Sequence, residues 1–128
     1  MRIRAIQVMH AVSSDLLHWE KLPEDKFYAP AEKYEPDDWR DPFVFWNEDA
    51  GQYWMLLAAR AKEGPAMRKG CTALCVSTDL QHWEVADPLW APESHYAHEC
   101  PDLFRIGGLV VFDLLRVHGP LPDAVPQG

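Results

Sequence analysis

The chain has 128 residues, 48% of them apolar, which suits one packed domain and excludes global disorder. A formal net charge of −8 argues against nucleic acid or an anionic membrane as a partner, and no apolar run approaches the length of a membrane span. Three cysteines do not make a full disulfide framework, and no apolar leader segment follows Met1-Arg2-Ile3-Arg4, so a cytoplasmic location is the default expectation.

In chain order, Met1 to Val12 is moderately apolar and reads as a strand. Ser13 to Glu20 follows as a polar turn. Lys21 to Pro36 contains Pro23, Pro30 and Pro36 among many charges and reads as a loop between sheets. The aromatic run Trp39-Arg40-Asp41-Pro42-Phe43-Val44-Phe45-Trp46 then leads into Asn47-Glu48-Asp49-Ala50-Gly51, and Gln52 to Ala59 runs back. That pattern predicts a β-hairpin. Pro42 cannot donate to a ladder, so it is expected to open the first strand, with Arg40 and Asp41 at its mouth. Ala61 to Lys69 carries Gly64-Pro65 and reads as a turn. Gly70 to Ser77 predicts a further strand, and Leu109 to Leu115 another. Residues 1–115 are expected to form the domain, with 116–128, rich in Pro and Gly, as an irregular tail.

One segment occurs twice. Ser13-Ser14-Asp15-Leu16-Leu17-His18-Trp19-Glu20 and Ser77-Thr78-Asp79-Leu80-Gln81-His82-Trp83-Glu84 share Ser, Asp, Leu, His, Trp and Glu in register, 64 residues apart. Tyr28-Ala29-Pro30 is matched by Trp90-Ala91-Pro92. A repeat of about sixty residues built from strands and turns is the signature of propeller blades. Ser and Asp can tie such a turn through bonds to the backbone. Leu and Trp are expected to plug between sheets, and His18 and His82 to be turn histidines and not ligands.

Two stretches carry chemistry. Arg40-Asp41-Pro42 lies in the first repeat and His98-Glu99-Cys100-Pro101 occupies the same place in the second. Equal positions in neighbouring blades begin at the same end of the channel, so Asp41 and Glu99 are expected to converge. Two carboxylates on one cavity is the arrangement that glycoside cleavage requires, one of them held protonated to serve the leaving oxygen.

These residues resemble glycoside hydrolase family 32, the invertases, levanases and other β-fructosidases. The resemblance rests on Arg40-Asp41-Pro42, on Glu99-Cys100-Pro101 and on the Ser-x-Asp-Leu-x-His-Trp turns, and covers residues 10 to 108. It implies an all-β fold, about two blades of a five-bladed β-propeller, and a fructose-containing oligosaccharide as substrate, with no cofactor and no metal. By resemblance Glu99 is the general acid/base and Asp41 the transition-state stabiliser, while Arg40 and Cys100 contribute to substrate binding. A retaining mechanism would place nucleophile and acid about 5 Å apart. The family's nucleophile belongs to an Asn-Asp-Pro-Asn-type motif that these residues do not contain, and Asp15 is no substitute. Five blades of about sixty residues need on the order of 300 residues. The chain therefore reads as a fragment, inactive alone, whose partner would be the segment supplying the missing blades.

Two other classes compete. A non-catalytic carbohydrate-binding or interaction module would also use the tryptophans. Other five-bladed glycosidases, such as arabinanase-like enzymes, place carboxylates at similar blade positions, although the Glu-Cys pair favours fructosides. A zinc site built from His95, His98 and Cys100, or from Cys71 and Cys75, is the weaker reading. Cys71 and Cys75 would lie about 13 Å apart on an extended strand, too far for one ion.

Overall fold

Short aromatic and β-branched runs separated by polar turns fold the described residues into eight strands. The structure, a computed structural model, describes residues 5–119. The strands are β1 (Gln7–Val12), β2 (Glu20–Tyr28), β3 (Tyr34–Asn47), β4 (Gln52–Ala61), β5 (Gly70–Ser77), β6 (Glu84–Val85), β7 (Ala97–Ile106) and β8 (Leu109–Val117), with one 3-10 turn at Ala66–Arg68. All pairings are antiparallel. They make a two-stranded sheet β1-β2, a four-stranded sheet β3-β4-β5-β6 and a two-stranded sheet β7-β8.

The sequence repeat explains this division. In the four-stranded sheet the turn Ser77–Trp83 joins the third strand to the fourth. The same turn, Ser13–Trp19, joins β1 to β2. The hairpin β7-β8 in turn repeats β3-β4. Each of their first strands is broken by a bulge, between Arg40 and Phe43 in β3 and between Glu99 and Asp102 in β7. The described residues thus comprise the outer half of one blade, one whole blade and the inner half of a third. The fold is all-β, and its eight strands amount to about two blades of a β-propeller.

The two copies of the repeated turn are superimposable in their bonding. In the first, Ser13 Oγ accepts from Leu16 N at 2.8 Å, and Asp15 Oδ1 accepts from Leu17 N and His18 N at 2.9 and 2.8 Å. In the second, Ser77 Oγ accepts from Leu80 N at 2.9 Å, and Asp79 Oδ1 from Gln81 N and His82 N at 2.9 and 2.8 Å. Each imidazole Nδ1 lies 2.7 Å from the Asp Oδ2. The backbone N–H of His18 and then its side chain hold the Asp15 carboxyl well below the usual carboxylate range, and His82 acts likewise on Asp79. The two tryptophans part company. Trp83 packs against the core, whereas Trp19 is 58% exposed and donates Nε1–H to Leu16 O. Trp83 meets the two-stranded sheet across a cleft lined also by His10, Leu22 and Val44. Among the described residues no second sheet stands opposite Trp19.

Three local expectations are corrected. Lys21 to Pro36 is not all loop, because Glu20–Tyr28 is a strand. Pro23 is tolerated there since β2 pairs on one side only, with β1. The strand containing Pro42 opens at Tyr34, not at Pro42. Pro42 sits inside the bulge, the other place where a missing N–H costs no ladder bond. Strand β8 runs to Val117, so the tail expected from residue 116 begins later, and its residues 120–128 lie outside the described residues.

The core forms on one face of the complete blade. Met55, Leu57 and Ala59 of β4 and Cys71, Ala73 and Cys75 of β5 alternate inward with Tyr34 and Trp39 of β3. Val8 and Phe27 of the first sheet close over them. The opposite face of β4 and β5 presents Leu56, Ala58, Thr72 and Leu74. There the segment leading into β7 approaches so closely that Gly70 N–H donates to His95 O at 2.9 Å.

Candidate active site

The paired bulges position the site. A β-bulge re-aims side chains and locally unpairs the strand. In β3 the bulged residue is Asp41, with φ 54°, and in β7 it is Cys100, with φ 48°. Each is followed by a proline, Pro42 or Pro101, which cannot donate to a ladder and so favours the interruption. The two bulges face each other across the seam between the second and third sheets. Cys100 N–H donates to Asp41 Oδ2 at 3.1 Å, and Cys100 Sγ lies 3.9 Å from the same oxygen.

The residue before each bulge joins the contact. Arg40 Nη2 lies 3.5 Å from Glu99 Oε1, and Arg40 Nε lies 3.9 Å from Asp41 Oδ2. The structure therefore brings Arg40, Asp41, Glu99 and Cys100 into one cluster, although 58 residues separate Asp41 from Glu99. None of the four is sealed: the Asp41 and Glu99 side chains are 33% and 42% exposed. A solute can reach both carboxylates.

Behind the cluster lies a support that the sequence did not announce. Asp38 pairs with Arg40 and sits 3.7 Å from Arg60 Nε, so it is held between two guanidinium groups. Arg60 is itself buried. It donates to Tyr96 O and, at 2.6 Å, to Ala66 O, and its guanidinium lies 4.0 Å from the Tyr96 ring centre. A chain of contacts thus runs from the linker preceding β7, through Arg60 and Asp38, to Arg40. Glu35-Pro36-Asp37-Asp38 lies within β3, and only the burial of Arg60 in β4 gives Asp38 its place.

His98 lies next to Glu99 but on the other face of β7. It is fully buried, with Nδ1 3.0 Å from Thr72 Oγ1 and its ring stacked on Trp90 at 5.1 Å. Burial, with smaller contributions from the charges of His95 and Arg116, pushes its pKa down to about 4. In the unfolded chain an imidazole titrates near ~6.5. Because the folded value is depressed, the stabilisation is complete above about pH 6.5 and is lost as the pH falls towards the folded value. That span corresponds to on the order of 3 kcal/mol. We expect the urea midpoint to fall over that window and His98→Gln to flatten the slope. An unchanged slope in the variant would assign the pH dependence to other groups.

Of the metal-site candidates, the His95 and His98 rings meet at 5.8 Å but Cys100 does not join them. His98 turns inward and Cys100 turns towards Asp41, so the two flank Glu99 on different sides. Cys71 and Cys75 are core residues whose thiols are pushed up by burial, to about 11 and about 12. Among the described residues no group of three His, Cys, Asp or Glu side chains is placed to hold a metal ion. No helix among them is long and apolar enough to cross a membrane.

Comparison with known proteins bears on the family and its fold. Residues 2–116 match the family described as the glycosyl hydrolases family 32 N-terminal domain. No curated protein matches the chain. That family comprises glycoside hydrolases, whose substrates are carbohydrates, and its N-terminal domain is a β-propeller. With nearly the whole chain matched, and with bulged blades meeting at an Arg-Asp and a Glu-Cys pair, this protein belongs to glycosyl hydrolase family 32.

Proposed function

We propose that the cluster at the seam is part of a β-fructoside site that works by a retaining two-carboxylate mechanism. Glu99 is the general acid/base, Asp41 holds fructosyl hydroxyls in the transition state, and Arg40 and Cys100 orient those two groups. The observation that carries this is the contact of Cys100 N–H with Asp41 Oδ2, which fixes the carboxylates of two blades at one rim. A retaining reaction also needs an attacking carboxylate about 5 Å from the acid. No residue of the chain matches the motif that supplies it, so the 128-residue chain alone is inert and needs a segment carrying that carboxylate. The substrate proposed is a fructose-containing oligosaccharide, and the location cytoplasmic.

The test is incubation of the chain with sucrose and with short fructans at mildly acidic pH, beside a Glu99→Gln control. Fructose release at the level of the control is expected. Release well above it would show that the chain holds its own nucleophile. The four-residue contact predicts that any fructan binding detected by calorimetry is lost in Asp41→Ala.

A non-catalytic carbohydrate-binding role is the second reading, and one feature favours it. A cavity of about 440 Å³ lies beyond the hairpin turn of β3-β4 and is lined by Trp46, Glu48, Asp49, Phe104 and Arg105. Exposed aromatic faces beside charged groups suit a sugar. Binding that survives Asp41→Ala and Glu99→Gln but fails in Trp46→Ala would favour this role.

A further inference from the structure

Asp38 and Arg60 carry charge at the base of the site, and neither has a part in the reaction as described so far. We propose that they are positioning residues, which together hold Arg40 against Glu99. The proposal rests on the glycosidase reading only where that reading makes Glu99 the acid. The contact itself is tested without a sugar.

The Arg40 guanidinium meets a different carboxylate at each of its three nitrogens. Nη1 faces Asp38, Nη2 lies 3.5 Å from Glu99 Oε1, and Nε lies 3.9 Å from Asp41 Oδ2. Asp38 and Arg40 stand two residues apart in β3, so their side chains leave the strand on the same side. Asp38 Oδ1 is shut off from solvent, and Arg40 is the group that faces it. A buried carboxylate oxygen is costly unless it is paired, so Asp38 does not readily give Arg40 up to water. An arginine side chain free in solvent samples many rotamers. With Nη1 tied down, the planar fork has a set direction, and its other two nitrogens are aimed at the two carboxylates of the rim.

Arg60 fixes the opposite end of the same contact. One step beyond the Trp39–Ala59 pair of the β3-β4 ladder stand Asp38 and Arg60. Arg60 Nε lies 3.7 Å from Asp38 Oδ2, while Nη1 donates to Tyr96 O and Nη2 to Ala66 O. Tyr96 immediately precedes β7, and Glu99 is the third residue of that strand. One guanidinium thus ties the carboxylate that directs Arg40 to the strand that carries Glu99. The Asp38 and Arg60 side chains are 13% and 11% exposed, so the support is shielded while the end offered to a solute is open. Lysine at position 60 would keep the charge and lose the fork that reaches three acceptors at once.

The test follows the Arg40 Nε–H proton by NMR in the 128-residue chain, its signal identified by its loss in Arg40→Lys. In the native chain the signal should be visible and slow to exchange with water. Asp38→Asn keeps the side-chain shape and removes its charge. It should speed that exchange about tenfold, as should Arg60→Lys. Backbone amides of β4 and β5 should keep their protection in both variants, and the Cys100 thiol should react faster with a disulfide reagent. Asp37→Asn, the same change at an exposed neighbour, should alter none of these. An Arg40 signal missing from the native chain overturns the proposal, as does exchange unchanged in Asp38→Asn. Faster exchange that merely accompanies lost protection of the strand amides overturns it too, because Asp38 would then be structural only. Should Arg60→Lys fail to fold, Asp38→Asn decides alone. Fructose release by the chain would sink its inertness and leave this proposal standing, so the two fail separately.

Discussion

Trp39→Ala should cost about 3–5 kcal/mol of folding stability, the range for removing a large aromatic from a core. Trp39 has no exposed surface. Its ring is met edge-on by Phe27 at 5.7 Å and lies 5.1 Å from Tyr34. The three side chains come from two different sheets, so the cavity would open at the seam where β1-β2 rests on the complete blade. Against a total stability of about 5–15 kcal/mol, the loss is a large fraction of the whole. Trp39→Phe should be far milder. The indole N–H has no hydrogen-bond partner among the described residues, and a buried unpaired donor costs about 1–3 kcal/mol, so deleting it offsets part of the lost volume. Urea midpoints for the two variants would check this. Equal losses would mean that a phenyl ring recovers none of the packing and that deleting the unpaired N–H offsets nothing, and a small loss in Trp39→Ala would show that the first sheet does not depend on this contact.

Gly70→Ala is expected to be nearly as damaging, for the opposite reason. A Cβ at Gly70 would lie 2.7 Å from Ala97 Cα and 2.8 and 2.9 Å from Ala97 N and C. These are backbone atoms of β7, and no side chain can rotate aside to relieve them. Overpacking of this kind costs about 1–3 kcal/mol or more. Relief requires β7 to retreat, which lengthens the Gly70 N–H to His95 O bond and carries Glu99 and Cys100 away from Arg40 and Asp41. The substitution should therefore lower the urea midpoint and also speed reaction of the exposed Cys100 thiol with a disulfide reagent. Thiol reactivity that stays unchanged while stability falls would show that the seam adjusts elsewhere and spares the site.

Much of this was legible in the residues. The Ser-x-Asp-Leu-x-His-Trp repeat is a local motif whose side chains bond their own backbone, so its geometry does not depend on distant partners. It identified the blade period and, with it, the convergence of Asp41 and Glu99. Gly70–Ser77 and the return strand after Gly51 were equally plain, since alternation and turn residues agree there. The prolines misled. Pro23 read as part of a loop and Pro42 as the opening of a strand, yet a one-sided strand and a bulge each leave a backbone position with no ladder bond to give. Asp38 and Arg60 were hidden for another reason. Their pairing joins β3 to β4 and the linker before β7, and a contact between residues so far apart leaves no trace in local spacing. The split of eight strands into half, whole and half blades became visible only in the sheet pairing.

Asp41 and Cys100 both occupy left-handed backbone, which costs a non-glycine residue about 1–3 kcal/mol. Each therefore occupies the same strained socket, built in β3 and again in β7 by the same proline-bearing kink. Between these two strands the socket is constant while its occupant changes, a carboxylate in β3 and a thiol in β7. A candidate site of this kind can be rewritten by exchanging single side chains, with the surrounding sheets left as they are.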